Sequence, residues 1–332
     1  MSKRTILFYD HHRQNRKDAV RVLAATGSHC YYPDTLQELE QAIHSKTYSV
    51  QVIDIEGHRY LTEKGLDLEK SPTIVLSQEK LGRVLPYFSQ IKTFTNFVAK
   101  NKDGRLSPRD LLVAVSKILY MDIFGLSKYL NWGASNRIYQ VRDSTSRGDY
   151  IKSVTEFCQT LKLRKSLIQS VYIICEELLM NAIFDAPRDE HGQAKYADID
   201  RTKKLILDPH QSARLEVATD GERLAISVSD PFGAITRGVV IDYLSKCFSG
   251  DQFSDIGSTG GAGLGLYFCL NSVSNFTINV DPGRKSEFIG LFDINLSIKE
   301  HVKSHASFHF FTTENQASQF QALDQLPTKI AK

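Results

Sequence analysis

The chain has 332 residues, 42% hydrophobic and 24% charged, enough apolar content for two domain cores without disulfides or metals. Its 41 basic and 38 acidic residues leave a formal charge of +3 without an arginine-rich run or basic tail, which argues against a nucleic-acid partner. Five well-separated cysteines with no CxxC pair, ten histidines without a metal spacing and a charged N-terminus set the expectation of a cytoplasmic protein with reduced thiols. No stretch reads as the roughly 20 apolar residues of a membrane span, so no membrane contact is expected.

Thr5–Tyr9 reads as a strand ending at Asp10, 15–25 as a helix and 36–43 as a second helix. Two apolar strands, 50–53 and 73–76, end at Asp54 and Ser77, and a further strand, 94–99, ends at Lys100. Ser107 and Pro108 then open a helix over 108–119. Helices alternating with continuously apolar strands predict an α/β domain with a doubly wound parallel sheet over 1–122. The working site of such a sheet lies at the carboxyl ends of its strands, where Asp10, Asp54, Ser77 and Lys100 fall.

After a bridge over 123–136 holding the only tryptophan, Trp132, the pattern changes. Two amphipathic helices, 150–161 and 164–186, precede a hairpin whose strands, 214–217 and 224–228, flank Asp220-Gly221. A helix over 238–248, a Gly-rich segment, a helix over 264–273 and two strands around a Pro282-Gly283 turn follow, and Ser307–Thr312 is the last strand. This order predicts an α+β two-layer sandwich over 137–313, with a disordered Gln-rich tail over 314–332.

Three elements of the second half carry chemistry. Glu177, Asn181 and Asp185 recur every four residues and line one helix face, an arrangement suited to a water-activating base and a metal ligand. A solvated polar stripe has the same pattern. The strand 224–228 runs on to Asp230 and a Pro231-Phe232-Gly233 turn, where an aspartate also serves as an ordinary turn residue. Gly260-Gly261-Ala262-Gly263-Leu264-Gly265-Leu266 leads directly into a helix, so backbone N–H groups there can approach phosphate oxygens. No Gly-Lys-Ser/Thr follows and no strand immediately precedes it, which excludes Walker A and Rossmann loops.

In order and spacing these three elements resemble the N, G1 and G2 boxes of the Bergerat-fold (GHKL) ATPases, over about 137–313. The resemblance implies a Bergerat sandwich that binds ATP with Mg²⁺. Asn181 would hold the Mg²⁺ against the phosphates, and Asp230, backed by Gly233, would accept a hydrogen bond from the adenine amine. Gly261, Gly263, Leu264, Gly265 and Leu266 would cover the phosphates, 236–260 would form a lid, and Ser307 would lie near the adenine. Glu177 stands where gyrase-type ATPases and anti-sigma-factor serine kinases carry a general base. The G1 box keeps one clear glycine, Gly233, where the family has two. No histidine lies between residues 105 and 190, so the acceptor of an autophosphorylating sensor histidine kinase is missing. The sequence after Thr313 is too short for the transducer domain of a gyrase-type enzyme, which leaves the compact serine-kinase type.

Asp10, Asp54, Ser77 and Lys100 resemble, in that order, the pocket of a response-regulator receiver domain over about 3–122. The resemblance implies that Asp54 accepts phosphate from an upstream phosphodonor kinase, that Ser77 relays the switch and that Lys100 pairs with the phosphate. His11 stands where receivers carry a second acidic Mg²⁺ ligand, and imidazole is a poor ligand for an ion that wants oxygens. The competing expectation is a pseudo-receiver used for docking or for homodimer formation. For the whole chain the expectation is ATP-dependent serine/threonine phosphotransfer to a protein partner, a sigma-factor or anti-anti-sigma-like regulator. The alternative is an ATP-bound partner-switching protein without catalysis.

Overall fold

The computed structural model describes residues 4–89, 95–196, 198–249, 264–297, 300 and 305–314. The first half of the chain alternates β1 (Thr5–Tyr9), α1 (Arg13–Ala24), β2 (His29–Tyr31), α2 (Leu36–Ser45), β3 (Val50–Asp54), α3 (Ile55–Glu63), β4 (Thr73–Ser77), α4 (Leu81–Ser89), β5 (Asn96–Ala99) and α5 (Pro108–Tyr120). Every residue of β3 and β4 is buried because helices cover both faces, so these strands are mainly apolar rather than alternating, with Gln51, Asp54, Thr73 and Ser77 buried among them. Asp54 ends β3 and also caps α3: its Oδ1 accepts the Gly57 N–H at 2.8 Å. Ser107 caps α5 through the Asp110 N–H, with Pro108 in the first turn, as its sequence predicts.

The second half contains β6 (Ser135–Val141), α6 (Arg147–Thr160), α7 (Lys165–Met180), a π-helical turn (Asn181–Asp185), β7 (Ala213–Thr219), β8 (Arg223–Asp230), α8 (Arg237–Ser249), α9 (Leu264–Ser272), β9 (Asn275–Asp281), β10 (Lys285–Asp293) and β11 (Ser307–Thr312). Asp220-Gly221 and Pro282-Gly283 make the two hairpin turns, with both glycines at positive φ.

The described strands form one mixed eleven-stranded sheet, in the order β2-β1-β3-β4-β5-β11-β9-β10-β8-β7-β6. The first five are parallel to one another, and β11 joins them to the rest, antiparallel to β5 and parallel to β9. The strands read as belonging to two domains therefore meet edge to edge, and the last residues of the expected bridge, 135–136, already belong to β6 at the far edge of the same sheet. One apolar cluster spans the seam, taking Val75, Leu85 and Phe97 from the first half and Ile174, Leu178, Ile278 and Phe308 from the second. Ser307 lies in this seam, its Oγ accepting the Ala99 N–H at 3.0 Å.

Residues Lys165–Asp185 form a 21-residue helical run long and apolar enough to cross a membrane by length and composition, contrary to the sequence expectation. Its apolar length has a local explanation: Val171, Ile174, Cys175, Leu178 and Leu179 are buried in the core between the sheet, α6 and α9. Residue 94, the segment 250–263 and the tail 315–332 lie outside the described residues.

Candidate functional site

The carboxyl end of β8, the π-helical turn and the start of α9 converge on a cavity of about 250 Å³. Asn181, Asp230 and Leu266, brought from sequence positions far apart, all line it. Its walls are otherwise mainly apolar, with Ile235, Val239, Val240 and Phe288, while Asp185, Arg188, Tyr243 and Ser286 supply polar groups. A concave apolar pocket with a few convergent polar groups is the usual form of a small-molecule site.

Asp230 is buried at the end of a strand that is buried from Leu224 onward. Burial pushes its carboxyl up to about 6, although the Phe232 and Gly233 N–H groups, Ser286 and the charge of Arg188 pull the other way. The Phe232 N–H donates to Oδ1 at 2.9 Å. Gly233 does not line the cavity; it shapes the turn beneath Asp230. Its φ is +59°, and a Cβ there would lie 2.1 Å from the Asp281 carbonyl oxygen, so the turn admits only glycine.

The Asn181–Asp185 turn is closed by the Ala186 N–H donating to the Asn181 carbonyl at 2.8 Å, one residue beyond the α-helical partner. Asn181 stays partly exposed on the cavity. Asp185 is engaged by Arg201, whose Nη2 lies 3.1 and 3.2 Å from its two oxygens. The side-chain amide oxygen of Asn181 is a hard donor suited to Mg²⁺, and it would need nucleotide phosphates to complete the ion's oxygen shell.

Glu177 is half-buried one turn before Asn181 and does not line the cavity. Gly265, in the first turn of α9, covers it: a Cβ at Gly265 would lie 1.8 Å from the Glu177 carboxyl carbon. Burial raises the Glu177 carboxyl, against the pull of Arg201. Leu264 opens α9, and Gly261 and Gly263 lie outside the described residues; of the expected lid, 236–249 are described and bring Val239, Val240 and Tyr243 to the cavity, while 250–260 lie outside. Ser307, expected near the adenine, is in the sheet seam and not on the cavity, because its hydroxyl is committed to the β5 backbone. Arg188 was not legible beforehand, because it follows the helix in an irregular segment.

A second cluster sits at the carboxyl ends of β1, β3, β4 and β5. Asp10 Oδ1 accepts from Lys100 Nζ at 2.9 Å and from the His12 N–H at 2.8 Å, and Oδ2 accepts from Asn15 Nδ2 at 2.9 Å. Asp54 is fully buried; its Oδ2 accepts from the His11 N–H at 3.0 Å and from His11 Nδ1, and Lys100 Nζ is 4.0 Å away. Ser77 is also buried and accepts the Glu79 N–H at 2.9 Å at the start of the α4 connection. Asp10, Asp54 and Lys100 thus meet as their strand-end positions predict, while the Ser77 hydroxyl is bonded to the β4–α4 connection. Donor atoms of Asp10, His11 and Asp54 lie within 4.8 Å of one another. They fit Mg²⁺ poorly, since one donor is imidazole nitrogen and the carboxylate oxygens already accept from lysine, amide and backbone donors.

Compared with known proteins, the chain matches no protein-family model and no curated protein.

Proposed function

We propose that the chain is a two-domain signalling protein of the cytoplasm. Its second half would be a Bergerat-type ATP-binding domain transferring phosphate to serine or threonine of a protein partner, and its first half a receiver-like regulatory domain. The observation that carries the reading is the meeting of Asn181, Asp230 and Leu266 on one apolar cavity. Asp230 accepts the exocyclic amine of the adenine, whose planar ring fits between Ile235, Val240, Leu266 and Phe288. Asn181 would hold Mg²⁺, which would neutralise phosphate charge. The glycine-rich segment before α9 would supply backbone N–H groups to the phosphates.

Glu177 lies beside Gly265, where that segment enters α9, and its raised carboxyl suits a base that takes the proton from an attacking hydroxyl. The test is γ-labelled ATP with wild type and Glu177→Gln, incubated with co-purifying proteins. The variant is expected to bind ATP as wild type does while transferring label about 10²–10⁴-fold more slowly. Equal transfer rates would remove Glu177 from the chemistry. ATP binding with no turnover by wild type would favour a partner-switching protein that holds ATP without using it.

A further inference from the structure

We propose that the phosphoryl acceptor of the strand-end cluster is His11 Nε2 rather than Asp54, with a small phosphoramidate as donor. The inference rests on the receiver-like reading of the first half and is independent of the nucleotide cavity, so either can fail alone.

An aspartate that accepts phosphate needs one carboxylate oxygen free to attack. Both oxygens of Asp54 are engaged: Oδ1 accepts one hydrogen bond, from the Gly57 N–H that starts α3, and Oδ2 accepts two, from the backbone N–H and the ring Nδ1 of His11. Asp54 is also fully buried, whereas half of the His11 side chain is exposed. The same bonds that occupy Asp54 prepare His11. A carboxylate only accepts, so in the neutral ring the proton sits on Nδ1, toward Asp54, and the lone pair lies on Nε2. Among the described residues Nε2 has no hydrogen-bond partner. The two bonds from one residue to a single buried oxygen fix both backbone and ring, the orienting role a buried carboxylate plays toward a reactive imidazole.

The step balances without another reactant. The Nε2 lone pair forms the new N–P bond, the donor's P–N bond breaks, and its nitrogen leaves as ammonia or as a neutral imidazole after taking a proton from solvent. Nδ1 keeps its proton on Asp54. The ring gains positive character as the bond forms, and the carboxylates around it oppose that charge: Asp54, Asp10 at 3.9 Å and Glu56 at 3.7 Å from Nδ1.

The test uses the full chain and potassium phosphoramidate, with mass spectrometry to locate the label and alkali to classify it. The expected result is an alkali-stable phosphate that appears on His11 at least about tenfold faster than on the exposed His29, His44 and His191. His11→Gln should lose that label, and Asp54→Asn should keep it on His11 but slow it about 10–100-fold, the usual cost of losing an orienting partner. Three results would overturn the proposal: an alkali-labile phosphate on Asp54, label spread evenly over the exposed histidines, or no label on wild type. Since the wild-type location alone decides, misfolding of a variant cannot rescue the idea.

Discussion

Asp230 gives up water for a few protein donors at the buried end of β8, and its carboxyl rises to about 6 from an ordinary 3.8. A carboxyl raised in the folded state contributes stability that is complete below its unfolded value and is lost as pH rises through the folded value. At pH 7.5 the ionised group is therefore a cost, and Asp230→Asn should stabilise the ligand-free protein by about 1–3 kcal/mol. Thermal unfolding checks this, and a lowered Tm would make the carboxylate a structural group instead. The same titration sets a binding profile. Adenosine stays neutral between pH 5 and 8, so its affinity should fall by up to about tenfold at pH 5 relative to pH 8 as Asp230 protonates. A flat profile would show that the ionised carboxylate is not the acceptor. Asp230 was legible because a strand, an aspartate and a turn with glycine are local features. The Glu177–Gly265 contact was not, since it depends on two helices meeting.

The helix carrying Glu177 and Asn181 was legible from its apolar period, whereas the π-helical turn at Asn181–Asp185 was not. One widened turn leaves the spacing of polar residues nearly unchanged. β2, α3, α4 and β6 also escaped the sequence reading for physical reasons. β2 has only three residues, α4 contains Pro86, and β6 is an edge strand exposed along most of its length, so neither apolar alternation nor clean helical periodicity marks them. α5 was read correctly, but its Lys117 is a surface residue by pattern and a buried one in fact. Lys117 Nζ donates to Tyr129 Oη and Asn279 Oδ1, each at 2.7 Å, and burial holds its amine well below the usual lysine range. Asn279 passes the contact on to Glu287, which also accepts from Ser227 and the Gly125 N–H. Lys117→Met orphans two buried acceptors and should cost about 2–4 kcal/mol. Urea unfolding would measure it, and a loss below about 1 kcal/mol would mean that water replaces the amine.

At the scale of the whole molecule, β11 decides the architecture. It pairs with β5 on one side and β9 on the other, so the parallel strands and the mixed strands become one sheet with one core across the seam. No local signal announces this, because a strand of six residues with three phenylalanines fits many sheet edges equally well. The central claim is that the cavity under Asp230 binds Mg·ATP. Calorimetry of ATP with Mg²⁺ against wild type and Asp230→Asn tests it most directly. The account predicts one site per chain in wild type and a loss of about 1.5–3 kcal/mol, roughly 10–150-fold in Kd, in the variant. Equal affinity in the two proteins, or no binding by wild type at millimolar ATP, would contradict it.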